Sequence, residues 1–360
     1  MRPYFETIRD PRQSWKIEYD LHEILIVTIC AVISGCEIWE EIVDFCKVKH
    51  LWFQEKLGLE LKNGIASHDT FQRVFQLIRP KELEESFIAW VQSISVKTKG
   101  EIVSIDGKTV RGSRGTKDRA IHMVSAWANA NQLVLGQVKV DEKSNEITAI
   151  PTLLDLLDLK DCIITIDAMG CQKDIAEKIV AADADYVFGL KGNHSDLHDD
   201  LKFYFENEEI PDHTVTREKG HGRIEMRGYF LEMEIDWLHQ KPDWARLNAI
   251  GMVKSIVWEK EVLREESRYF ITSLTDVETF ARAIRAHWGI ENSLHWSLDV
   301  TFREDSCRTR KDNSAENFSV VRRIALNALK RFPAKMSLNR KRRKCHYDTD
   351  FMADVLLAVF

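Results

Sequence analysis

A chain of 360 residues, 44% hydrophobic and 30% charged, has material for one large domain with an insertion or for two to three smaller ones, and excludes a disordered or fibrous protein. A formal net charge of −6 does not by itself suggest a nucleic-acid partner. Seven cysteines, an odd number without a CxxC pair, argue against both a disulfide framework and a zinc site, and packing is their expected role.

From the N-terminus, MRPYFETIRDPR lacks the apolar core of a signal peptide, so a cytoplasmic location is expected. The longest apolar run, ILIVTICAVIS at 24–34, is shorter than the ~20 residues of a bilayer crossing and reads as a buried helix. Apolar positions at i, i+3 and i+4 make the first hundred residues helical. SHDTFQRVFQLI follows the linker GIAS, with Ser67 as N-cap and Phe71, Val74, Phe75 and Ile78 on one face. A helix-turn-helix-like unit fits this region, but such helix pairs are more often plain packing.

At residue 101 the pattern turns to strands. EIVSID ends in Asp106, and HMVSAWA and QLVLGQVKV flank the turn-like NAN at 129–131 as a hairpin would. ITAIPTLLDLLDL has helical periodicity, CIITID is a second apolar strand ending in Asp167, and QKDIAEKIVAADA is a helix before the strand YVFGL. Strand, strand, strand, helix, strand, helix, strand is the order of an α/β mixed sheet with helical crossovers. Residues 201–269 read as a β-rich insertion whose last strand returns to the core. A helix over about 277–298, basic helices over 314–331 and a final amphipathic DTDFMADVLLAVF follow. Charge is uneven: from Arg303 to Lys344 there are fourteen Lys or Arg against four Asp or Glu, including RKRRK at 340–344, which reads either as a phosphate-binding surface or as a solvated tail.

Asp106 and Asp167 each stand where a β-branched strand gives way to a small residue. Strand ends of open α/β sheets face the ligand crevice, so two such aspartates converge if their strands are neighbours, and a hard divalent cation would offset their charge. The alternative is that each caps the turn that follows. On the 277–298 helix, Glu291 shares its helical face with Ile284, Trp288, His295 and Leu298, which predicts a carboxylate on a buried or half-buried face. It could be a third metal ligand or one half of a buried salt bridge, for instance to Arg285; Asp299, Glu304 and Asp305 are rival third carboxylates. Three converging carboxylates suit two metal ions and an in-line phosphoryl displacement. The tryptophans of this segment are expected in the core rather than stacked on bases. Neither GKT at 107–109 nor HSDLH, with His194 and His198, carries the rest of a phosphate-loop or zinc motif.

With these residues in view, the chain resembles the DDE transposases of bacterial insertion sequences, and most closely the H-repeat-associated proteins found with Rhs elements. The motifs that carry the resemblance are DPRQSWKIEYDLHEILIVTICAVISGC, GIASHDTFQRVF, SIDGKTVRGS, TIDAMGCQKDIAEKI, FGLKGNH, HGRIEMRGYF, HWGIENSLHWSLDVTFRED and DNSAENFSVVRRIALNAL, spread over almost the whole length. The resemblance implies a ribonuclease-H-like mixed-sheet core interrupted by the β-rich insertion. The expected division is an N-terminal helical domain at 1–95, a candidate for DNA binding, core segments at 96–200 and 270–335, the insertion at 201–269, and a basic tail with a terminal helix at 336–360.

It further implies a transposase that cuts DNA strands and transfers 3′-hydroxyl ends, with Mg²⁺ or Mn²⁺, two ions, held by Asp106, Asp167 and Glu291. Its partners would be double-stranded DNA, both element ends and target, and further copies of the chain assembled on it in the nucleoid, with no membrane. Many relatives carry Tyr, Arg, Glu and Lys where this chain has Ile284, His287, Glu291 and Leu298, so backbone contacts would either pass to His287, His295, Arg303 or Arg308 or be weakened. Lys108 and Arg111 follow Asp106 closely and are expected to line the same groove, while Lys191, Asn193, Arg223 and Arg227 read equally as DNA contacts or as structural charges. A DNA-binding remnant without catalysis and a structure-selective nuclease are the alternatives.

Overall fold

Central strands buried on both faces, such as Ile163–Ile166, and outer strands that alternate, such as Arg223–Glu232, build one nine-stranded sheet among the described residues, covered by helices. The computed structural model describes every residue except 1, 97, 116–118, 142–143, 211, 221–222 and 260–261, and of residue 2 the backbone alone. The N-terminal helices are α1 (Arg2–Phe5), α2 (Leu21–Ile33), α3 (Trp39–Val48), α4 (His50–Leu57), α5 (His68–Leu77) and α6 (Pro80–Ile94). Then come β1 (Ile102–Thr109), β2 (His122–Ala128), β3 (Leu133–Lys139), α7 (Glu146–Asp155), β4 (Ile163–Ile166), α8 (Lys173–Ala181) and β5 (Asp185–Leu190). The next elements are α9 (Ser195–Asn207), β6 (His213–Gly220), β7 (Arg223–Glu232), β8 (Ala249–Glu259) and β9 (Val262–Thr272). The chain ends with α10 (Val277–Gly289), α11 (Ser314–Arg331), α12 (Leu338–Tyr347) and α13 (Thr349–Leu357).

Strand order is β3-β2-β1-β4-β5-β9-β8-β7-β6. β1, β2 and β3 form an antiparallel meander, β4 and β5 run parallel to β1, and β9 closes antiparallel on β5. The insertion therefore prolongs the same sheet. The strand period of two sends Val103 and Ile105 into a core with α7 and α8, while Ile102 packs with α10 on the other face, where Ser104 Oγ meets the Ala286 carbonyl at 3.4 Å. Asp106 and Lys108 share that second face.

The N-terminal helices have no core of their own. α2 is apolar all round, with every residue from Ile24 to Ile33 buried, and one continuous cluster joins it to residues from Phe5 to Val91 and from Ile290 to Val359. Ser67 caps α5 by accepting from Thr70 N at 3.3 Å, and Phe71, Val74, Phe75 and Ile78 are buried as their spacing predicts. The segment expected as a basic tail is two packed helices. In α12, Lys341 donates to the Leu329 carbonyl (2.7 Å), and Arg342 reaches Val32 O (2.8 Å), Glu37 (2.7 Å) and the face of Phe302 (4.2 Å), so two of the five RKRRK cations are structural. At the edge strand β3, Asn327 of α11 accepts from Val134 N and donates to Val134 O, both at 2.9 Å, and Glu84 of α6 accepts from Gln137 N at 2.8 Å. Side chains here take the place of a further strand. All seven cysteines are free thiols, six of them buried.

Candidate active site

In the parallel β1–β4 pair Ile105 lies opposite Ile166, so the next residues, Asp106 and Asp167, come out side by side. β1 does not end at Asp106, as its sequence suggested, but pairs on to Thr109, where it lies opposite His122 of β2. Asp167 starts the 3-10 turn at Ala168–Gly170 and accepts from Met169 N at 3.1 Å; it does cap the following turn. Asn193 ties that turn down, donating to Ala168 O at 2.7 Å, and His194 meets Cys171 O at 2.7 Å. Asn193 thus acts on the Asp167 loop from within the chain.

Glu291 departs from its expected setting. After Gly289 the helix widens into π-helical turns at Ile290–His295 and Ser297–Thr301, marked by the bond from Trp296 N to Glu291 O. The buried stripe becomes Ile290, Leu294, Leu298 and Phe302, every fourth residue, so Glu291 falls beside it and is exposed. Trp296, expected in the core, is likewise outside, 56% exposed. Trp288 is half-buried, with the guanidinium groups of Arg227 and Arg268 at 4.4 Å and 5.3 Å from its ring centre.

Burial raises the Asp106 carboxyl to about 7, the Gly107 N–H opposes that rise, and the carboxylates of Asp167, Glu146 and Glu291 add to it. Asp106 therefore feels three other acids where the β1–β4 pairing ends. Glu146 escaped the sequence reading because it looks like an ordinary first-turn helix acid; it pairs with His122 at 2.6 Å, and the two cross directly over Gly107, where a Cβ would collide with both. His295 Nδ1 is 3.5 Å from Asp106 Oδ2, and burial, reinforced by Arg323 and Lys108, holds its imidazole down to about 4, so it stands neutral beside the acid. His287 is turned inward: its Nδ1 meets Thr165 Oγ1 at 2.9 Å, and burial lowers its pKa.

The expected DNA-contacting residues divide into two groups. Lys108 is buried, 2.7 Å from Asp299, 3.2 Å from Asp305 and 3.4 Å from Glu304, and does not line the groove as expected. Arg227 is buried against Trp288 and paired with Glu225. Arg111, Lys191, Arg223, Arg303 and Arg308 are exposed, although Arg223 also reaches Glu225 at 3.3 Å. A groove of about 890 Å³ lies elsewhere, between α9 and the outer strands, and its acids Glu206, Glu208, Glu209, Glu265 and Glu266 would repel phosphates. Among the described residues no three His, Cys, Asp or Glu side chains are gathered so as to hold a metal ion. The donor chemistry nonetheless suits a hard cation, since the carboxylates of Asp167, Glu146 and Glu291 all act on that of Asp106 and add to its rise.

A three-stranded antiparallel meander continued by two parallel strands, with acids at the shared carboxyl edge, defines a ribonuclease-H-like protein. The family described as "Transposase DDE domain" matches residues 97–328, and the one described as "DDE_Tnp_1-associated" matches residues 3–91. The chain belongs to the DDE transposase family. It is 44% identical to the "H repeat-associated putative transposase YhhI" of Escherichia coli (strain K12), over 98% of this chain and 96% of that one. It is 43% identical to the protein YbfL of the same organism, over 98% and 96%. A solved structure of the piggyBac transposase synaptic complex with hairpin DNA aligns over 95% of this chain and 75% of that one, at 12% identity and a TM-score of 0.44. No helix among the described residues is long and apolar enough to cross a membrane.

Proposed function

We propose that this transposase cleaves DNA strands at the ends of a mobile element and joins the freed 3′-hydroxyl to target DNA, with Asp106, Asp167 and Glu291 as its catalytic carboxylates. The observation that carries this reading is the side-by-side emergence of Asp106 and Asp167 from neighbouring strands, where burial raises the Asp106 carboxyl to about 7 and the surrounding acids add to the rise. Mg²⁺ or Mn²⁺ held there would activate the attacking oxygen and stabilise the leaving one. The chain's own part is positional. Met169 N and the Asn193-braced turn fix the Asp167 carboxylate, the Gly107 N–H bonds the Asp106 carboxylate, and Glu291, exposed and near enough to act on Asp106, would complete the set of carboxylates that holds the cation. Exposed Arg111, Lys191, Arg303 and Arg308 supply phosphate contacts, whereas Lys108, Arg227 and His287 serve the fold around the site.

A plasmid carrying the gene's natural flanks, incubated with the protein and Mn²⁺, tests the reading. Nicked and joined products are expected, and Asp106→Asn is expected to remove both. Nicking without joining would make the chain a nuclease. Binding without cleavage would favour the remnant, which the inward His287 and the apolar Leu298 also suit. Nicking left intact in Asp106→Asn would end the assignment of the triad.

A further inference from the structure

We infer that Lys108 is a positioning residue for Glu291: it clasps the segment that follows Glu291 onto β1, two residues from Asp106. This rests on the triad proposed above. Lys108 lies on the same face of β1 as Asp106, yet its ammonium runs along the strand to Asp299, Glu304 and Asp305, at 2.7, 3.4 and 3.2 Å. Asp299 lies in the second of the π-helical turns, and Glu304 and Asp305 in the stretch that follows them. The clasp is anchored behind and beside. Glu304, fully buried, is shared with Arg323 of α11 at 3.0 Å, and Asp305 also accepts from Arg111 N at 3.0 Å. The backbone at Cys307 presses on Gly112, where a Cβ would strike its carbonyl, and Arg310 Nε donates to Gly112 O at 2.9 Å.

The other end of the segment is fastened too. His287, four residues before Glu291, bonds Thr165 of β4, the strand that leads to Asp167. Glu291 is thus suspended between one clasp on the strand of Asp167 and another on the strand of Asp106. Between them lie the π-helical turns, whose wider winding is the adjustable part of the span. Moving the Lys108 clasp moves Glu291 relative to both aspartates.

The test uses the full chain, with Mn²⁺ binding followed by calorimetry in the absence of DNA and plasmid nicking at saturating Mn²⁺ as a second readout. Lys108→Met is expected to weaken Mn²⁺ binding and slow nicking by about tenfold or more, as loss of a supporting residue does at a metal site, and Lys108→Arg is expected to restore most of both. In a Glu291→Gln background, Lys108→Met is expected to weaken Mn²⁺ binding no further, because both changes act through one carboxylate. If Lys108→Met does not fold, Asp299→Asn, at a partly exposed acid of the same clasp, carries the same expectations. Full additivity with Glu291→Gln, or unchanged Mn²⁺ affinity in the folded single variant, would overturn the clasp. Glu291→Gln with Mn²⁺ binding and nicking intact would instead overturn the triad.

Discussion

Glu84 is a buried carboxyl that accepts from Gln137 N at 2.8 Å. Burial raises it to about 8 from an ordinary 4.5, against the opposing pull of the Gln137 N–H and Arg323. The native state therefore binds more protons than the unfolded one between those values, and stability falls as pH rises from 4.5 through 8. Glu84→Gln keeps the acceptor and removes the charge. It is expected to melt several degrees above the parent at pH 8.5 and close to it at pH 4.5, read by circular dichroism. Arg303 and Arg308, both exposed, are expected to behave in the opposite way: alanine at either leaves the melting curve unchanged, weakens duplex binding and shallows its salt dependence. None of this division was legible in the sequence, where Lys108, Arg227, Arg303 and Arg308 look alike. What separates them is whether distant acids and rings close around the side chain, as Asp305 does around Lys108 across 197 residues.

Elements show the same contrast at a larger spacing. The hairpin, both crossover helices and the Ser67-capped helix follow from periodicity and turn chemistry, which are local. The Glu291 helix was placed correctly in the chain but with the wrong winding. A period of 3.6 puts Glu291 among Trp288 and His295, whereas the π-helical turns keep Ile290, Leu294, Leu298 and Phe302 in the core and release Glu291 to the surface. That choice is made by the apolar cluster the segment packs into. Closure of the sheet edge is likewise tertiary. Asn327 of α11 satisfies both backbone groups of Val134, and Asn327→Ala is expected to destabilise the protein by roughly 1–3 kcal/mol for each buried group left unpaired, measured by urea unfolding. An unchanged midpoint would mean that water replaces the side chain.

For the molecule as a whole, the shared helical core makes the two ends of the chain interdependent. Phe351, Met352, Val355 and Val359 enter the same cluster as α2 and α5, and Trp90 donates to Val359 O at 2.9 Å. A chain stopped after residue 335 is expected to lose cooperative melting and to bind a hydrophobic dye, because α2, buried on every side, would have an open flank. Residues 1–95 alone are expected to remain unfolded. A sharp, parent-like melt of either piece would show that the N-terminal helices carry a core of their own.

The sequence by itself determined what depends on neighbours along the chain: strand and helix order, the apolar faces, the position of Asp167 at a strand-to-turn change, and the long motifs of the transposase family. Only the tertiary structure decided which strands adjoin, and so that Asp106 stands beside Asp167. It also decided that Glu291 faces solvent, that Glu146 joins the acids, and that Lys108 is spent on holding the Glu291 segment to β1. These outcomes rest on contacts between residues far apart in sequence, made when burial forces each charge to find a partner, and no local pattern records them.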